Sequence, residues 1–182
     1  MRQTFFIPFI LLALLVLAFP VFAVDGISLD AGEGDENAIS LGITARWDWD
    51  KRWFEEGNWY LSGHWNLGVS YWNGDSDRFS NHTMMTAGLT PVFRFSRHTA
   101  YDNGVKPFFE LGVGAYVLSD TKFGDKHFGG NFTFSDYAAV GIQMGKQQEH
   151  ELSLHVHHYS NAGIYSNNPG INFIELRYGH NF

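Results

Sequence analysis

The sequence predicts an all-β protein, an eight-stranded antiparallel transmembrane β-barrel of the outer-membrane type. Three observations carry that expectation. From Val24 onward, apolar residues alternate with small or polar ones, the period-two signature of strands. Many of these segments reach ten or more residues, the length that crosses a bilayer at a tilt. Aromatic residues gather near segment ends, with Trp47, Trp49, Trp59, Tyr71 and Trp72 as the clearest group, as in the girdles of outer-membrane barrels.

The start of the chain supplies an export route. Met1-Arg2-Gln3-Thr4 precedes an uncharged run over 5–22 that ends in Val21-Phe22-Ala23, the layout of a cleaved signal peptide. The expected organisation is a signal peptide over 1–23 and one barrel domain over 24–182. A transmembrane helical anchor is the rival reading of the same run. Pro20 and the small residues at the cut favour cleavage.

Composition narrows the function classes. With no cysteine, an exported chain has no disulfide to staple it. The net charge of −7 becomes −8 once Arg2 leaves, which argues against a nucleic-acid surface. Aromatics at 17% and 20 glycines suit closely packed strands and disfavour helix interiors. Closure into a barrel then satisfies every backbone group in lipid, which an open sheet cannot do.

Taken in order, a short first strand is expected over 26–31, ended by an acidic loop over 32–37. The second aligns Ile39, Leu41, Ile43, Ala45, Trp47 and Trp49. The third aligns Trp59, Leu61, Trp65, Leu67, Val69 and Tyr71 against His64, Asn66 and Gly68. The fourth aligns Met85, Leu89, Pro91, Phe93 and Phe95. The fifth sets Phe109, Leu111, Val113 and Val117 opposite Glu110, Gly112, Gly114 and Tyr116, and a Gly-rich loop over 119–131 follows. The sixth runs over about 132–145. The seventh carries Leu152, Leu154 and Val156, and the eighth Ile174, Leu176 and Tyr178. Short turns over 50–58, 97–104 and 146–149 belong on the periplasmic side. The loops over 119–131 and 161–170 then face outward from the cell.

The seventh segment raises the functional question. His158 and Ser160 continue the parity of Leu152, Leu154 and Val156. Residues two apart on a strand point the same way, with Cα atoms about 7 Å apart. The pair therefore faces lipid at outer-leaflet headgroup level. A serine becomes a useful nucleophile when an adjacent base takes its proton, and the base needs a third group to hold its ring. Asn172 and Asp136 are the outward polar residues at the same end, whereas Glu175 has the wrong parity. The plainer alternative is two interfacial polar residues that bind headgroups.

The run His158-Tyr159-Ser160-Asn161-Ala162-Gly163-Ile164, followed by Asn168-Pro169-Gly170-Ile171, resembles the PagL family of outer-membrane lipid A 3-O-deacylases. Further family-like segments are Trp47-Asp48-Trp49-Asp50-Lys51, Thr90-Pro91-Val92-Phe93, the stretch from Pro107 to Gly114, and Asn131-Phe132-Thr133-Phe134-Ser135-Asp136. The resemblance implies an eight-stranded barrel that removes the ester-linked acyl chain at position 3 of lipid A. It implies Ser160 as nucleophile and His158 as general base, with backbone N–H groups around Asn161 to Gly163 as oxyanion donors. Phe134 and Asp136 align with positions near the site. Where well-known members carry a glutamate as third triad residue, this chain has Asn172. An amide orients imidazole but supplies no negative charge, so either turnover is slower or Asp136 contributes.

The implied partners are lipopolysaccharide, through its lipid A, and outer-membrane lipids, with a homodimer as a further option. No cofactor and no metal are expected. His155, His157 and His64 share the inner face, where a polar network is the simpler reading than a metal site, with Glu110 paired to Arg46. Two other classes stay open: a non-enzymatic barrel, adhesin or structural porin-like, and a soluble secreted ligand barrel.

Overall fold

Eight strands close on themselves in one antiparallel sheet. They are β1 (Gly26–Gly34), β2 (Ala38–Asp48), β3 (Trp59–Asn73), β4 (Thr83–Arg97), β5 (Lys106–Leu118), β8 (Phe132–Met144), β9 (His150–Ser160) and β10 (Ile171–Asn181). Two short strands, β6 (Lys122–Phe123) and β7 (Lys126–His127), make a small hairpin in the loop between β5 and β8. The order around the barrel is β1-β10-β9-β8-β5-β4-β3-β2, with β2 back beside β1. The computed structural model describes residues 24–75 and 81–182, so the expected signal peptide lies outside the described residues.

Barrel closure joins chain segments far apart in sequence. β1 lies against β10 in unbroken register from Gly26↔Asn181 to Gly34↔Phe173. The first strand thus reaches Gly34, three residues past its expected end. No helix among the described residues is long and apolar enough to cross a membrane; the crossing falls to the strands.

Burial is inverted relative to a water-soluble protein. Leu41, Leu111, Val113 and Ile174, all on the predicted apolar faces, are more than half exposed, and so is Leu29 on β1. Asp30, Arg46, His64, Arg94, Glu110, Glu151, His155 and Glu175 are buried inside. A continuous exposed apolar belt of this extent marks a surface made for something other than water, and a closed barrel leaves no backbone edge unsatisfied in lipid. Trp59 stacks on Phe95 at 5.3 Å and Trp49 meets Phe93 edge-on at 5.3 Å, a girdle at the end that carries the short turns.

The lumen has two halves of different chemistry. Near the short turns, Arg94 is the hub: its guanidinium donates to Glu110 Oε1 at 2.6 Å and to both Glu151 oxygens at 2.6 and 2.9 Å. Arg46 donates to Glu151 at 2.9 Å, as do Gln143 at 2.8 Å and Asn181 at 3.0 Å. The expected Arg46–Glu110 pair is therefore replaced by a bridge, Arg46 to Glu151 to Arg94 to Glu110. Parity gives the face of each side chain but not its partner across the pore. His155 bonds Ser153 at 2.8 Å, His157 lies 3.3 Å from Ser135 and 3.4 Å from Glu175, and His64 is 3.7 Å from Glu110. Each histidine has its own partners, and no metal-ligating group of three occurs among the described residues.

Toward the other rim the lumen is apolar. Trp72, Met84, Tyr116, Tyr159, Ile171 and Phe173 pack together with Phe123 and Phe128 from the β5–β8 loop. This corrects two expectations. The interior is polar over only part of its height, and Trp72 is fully buried in this plug, not an interfacial anchor. Its parity is opposite to that of Tyr71, so it points inward. Trp72 meets Tyr159 at 4.9 Å and Phe173 at 4.7 Å.

Candidate active site

Sheet register assembles a row of polar side chains on the outer face, at the rim above the apolar belt. Asp136 on β8 stands directly across from His158 on β9, and His158 directly across from Asn172 on β10. Ser160 is across from Phe134. Directly opposed residues on one face have Cβ atoms about 4.5–5.5 Å apart. Glu175, one residue off the parity of Asn172 and Ile174, is buried inside beside His157.

The imidazole is oriented from one side. His158 Nδ1 lies 2.8 Å from Asn172 Oδ1, which leaves Nε2 as the nitrogen available to a hydroxyl. The bond runs to Asn172 and not to Asp136, although register brings both beside the ring. Behind Asn172 comes a residue that the sequence reading passed over in its acidic loop. Asp35 Oδ2 accepts from the Asn172 backbone N–H at 3.0 Å and from its side-chain Nδ2 at 3.1 Å. Asp35 N in turn donates to the Asn172 carbonyl at 3.0 Å. The two residues are 137 positions apart, so only barrel closure could disclose the contact.

The loop after β9 closes over the other side of the ring. Gly170 has φ of +64°, and a Cβ there would lie 2.9 Å from His158 Cε1 and 3.5 Å from Nε2. Only glycine fits both that backbone and that approach. Asn161 is fully buried and ties the loop together. Its Nδ2 donates to the carbonyls of Phe128 at 2.9 Å and Asn167 at 2.7 Å, and its Oδ1 accepts from Gly163 N at 2.9 Å.

This bonding gives the Asn161 and Gly163 N–H groups partners within the loop. The Asn161 N–H donates to Asn168 Oδ1 at 2.8 Å, and the Gly163 N–H goes to the Asn161 side chain. Within the stretch expected to supply oxyanion donors, the Asn161 and Gly163 N–H groups are thus engaged inside the loop. The Asn168 side chain lies in the same loop, its Oδ1 bonded to the backbone N–H of the residue that follows Ser160.

Two shallow apolar grooves descend from the row along the barrel wall, one on each side of Val156. The first, about 540 Å³, is lined by Phe93, Leu111, Val113, Ala138 and Val156, with His158 at its rim. The second, about 650 Å³, is lined by Ala31, Leu154, Ile174 and Leu176, with Asn172 and Asp35 at its rim.

A family model described as PagL, lipid A 3-O-deacylase, matches residues 38–181 of this chain. The chain is 34% identical over 116 residues to the lipid A deacylase PagL of Bordetella bronchiseptica, which is 64% of this chain and 60% of that protein. It thus spans less than two thirds of that relative's length. It is 30% identical over 152 residues to the lipid A deacylase PagL of Pseudomonas aeruginosa, covering 84% of this chain and 83% of that protein. Among solved structures, the crystal structure of the outer membrane enzyme PagL superposes with a TM-score of 0.74 at 26% identity, covering 86% of this chain and 99% of that one.

Proposed function

This chain belongs to the PagL family of lipid A 3-O-deacylases, and we propose that it is a serine esterase that hydrolyses the acyl ester at position 3 of lipid A. It is an outer-membrane β-barrel. The observation that carries the catalytic reading is the outward row: a serine and an oriented imidazole face lipid at the rim of an apolar belt. A polar pair in that position is costly without a purpose.

In this reading His158 Nε2 takes the Ser160 hydroxyl proton as Oγ bonds to the ester carbonyl carbon. The oxygen that gains the negative charge is met by donors in the 161–170 loop beside Ser160. The intermediate collapses, the C–O bond to the sugar breaks, and His158 returns the proton to the departing 3-hydroxyl. Water then attacks the acyl-Ser160 with His158 again as base, and a free fatty acid leaves. The grooves beside Val156 suit the acyl chains of a substrate embedded in the same leaflet. Phe134 flanks Ser160 across the strand pair, and Asp136 lies beside the imidazole as a second carboxylate. No cofactor or metal enters any step.

All residues of the row come from one chain, so one barrel suffices; a homodimer would have to leave the rim of β8 to β10 facing lipid. The test is mass spectrometry of lipid A from cells that express wild type or Ser160→Ala, both checked for folding by heat-modifiable gel migration. Loss of one acyl chain is expected with wild type alone. An unchanged profile with folded wild type would sink the reading and leave a non-enzymatic barrel.

A further inference from the structure

We infer that Asp35 is a positioning residue of the catalytic row and supplies, one residue removed, the acid that Asn172 lacks. The inference rests on the deacylase reading above. An asparagine beside a catalytic imidazole has two faces. If its NH₂ turns to Nδ1, then Nδ1 must accept, the ring proton sits on Nε2, and Nε2 cannot act as base. That wrong tautomer is how an acid-to-amide change costs a serine hydrolase about 10⁴ in rate.

Asp35 removes the ambiguity. An ionised carboxylate only accepts hydrogen bonds, so the Asn172 group that faces Asp35 Oδ2 at 3.1 Å has to be the NH₂. The group facing His158 Nδ1 at 2.8 Å is then Oδ1, which can only accept. Nδ1 therefore carries the proton, and Nε2 keeps its lone pair for Ser160. The amide acts as a rigid spacer between carboxylate and imidazole. Because Asp35 also accepts the Asn172 backbone N–H, the spacer is fixed at both ends.

Charge works in the same direction. Lys126 in the β6–β7 hairpin lies 3.8 Å from Asp35 and 3.7 Å from Glu36. One cation is shared between two carboxylates, so the trio keeps a net negative charge behind Asn172. That charge favours the imidazolium formed when Ser160 loses its proton.

The experiment is a double-mutant cycle between Asp35→Asn and Asn172→Glu, with Ser160→Ala as the blank. Initial rates of fatty-acid release from lipopolysaccharide in detergent micelles are measured, with heat-modifiable migration as the folding control. Asp35→Asn keeps the size of the side chain and an acceptor for the backbone N–H, but loses the charge and the obligatory acceptor. It is expected to lower kcat on the order of 10²-fold with KM within about twofold, below the 10⁴ that bounds a complete tautomer error. In the Asn172→Glu background the imidazole has its own carboxylate, and the same change at 35 is expected to cost less than about threefold. Equal losses in both backgrounds would assign Asp35 to holding the β1–β2 turn and overturn the proposal. So would full activity of folded Asp35→Asn, which leaves the deacylase reading intact. A folded wild type no more active than Ser160→Ala would overturn both together.

Discussion

Two glycines in one loop allow the placement of the His158 ring to be tested without touching any polar group. Gly170 and Gly163 both sit in the left-handed region, at φ of +64° and +81°. Alanine at either costs about 1–2 kcal/mol in backbone terms. Their surroundings differ. A Cβ at 163 meets nothing within 4 Å, whereas one at 170 lies 2.9 Å from His158 Cε1. Carbon atoms rest at about 3.5–4.0 Å, so in Gly170→Ala the ring must retreat by roughly 0.6–1 Å. The Nδ1 bond to Asn172, 2.8 Å long, then stretches or breaks. Misplacement of a catalytic group by 1 Å can cost about 10²-fold. We expect kcat to fall about 10- to 100-fold in Gly170→Ala and by less than about threefold in Gly163→Ala. The assay is the initial rate of acyl release from lipopolysaccharide micelles, with folded protein verified by gel migration. Equal rates for the two variants would refute the placement of the ring against Gly170.

Three further outcomes follow from the packing. Arg94→Met strands the Glu110 carboxylate and leaves Glu151 to Arg46 and its amide donors. Losing one partner of such a buried set costs about 3–5 kcal/mol, read as a lower denaturant midpoint for the folded barrel; an unchanged midpoint would mean that the hub is not structural. Trp72→Ala empties the centre of the outer plug and should cost about 3–5 kcal/mol, seen as a fall in the temperature at which the heat-modifiable band converts. Were the band to convert at the wild-type temperature, Trp72 would have to face lipid after all. Asn161→Ala removes the acceptor of the Gly163 N–H and the donor to two carbonyls, at about 1–3 kcal/mol for each buried group left unpaired. The expected sign is faster proteolytic cleavage within 161–170 while the barrel core stays protected.

How much of this was legible in the sequence follows from the arithmetic of strands. Because side-chain period is two, one correct parity fixes a whole face. That is why His158, Ser160, Asn172 and Asp136 all lie outward and Glu175 inward, as expected. The same rule already contained the direction of Trp72, one residue from Tyr71; a preference for interfacial tryptophans overrode it. Partners across the lumen were not legible, since parity says nothing about which of Glu110 and Glu151 an arginine reaches. Asp35 was hidden for a topological reason: its contact with Asn172 exists only where the first strand meets the last. The β6–β7 hairpin sits in a stretch of glycine and charge with no period, and its Phe123 and Phe128 gave no sign that they would turn back into the barrel.

The filled lumen has a consequence for the membrane that carries this barrel. Aromatic packing under one rim and an arginine–carboxylate lattice below it occupy much of the lumen among the described residues. The expected outcome is an electrically silent protein in planar-bilayer recordings; steady single-channel conductance would show a path through the packing. Silent recordings would mean that the proposed deacylase can be made in many copies while the membrane keeps its barrier.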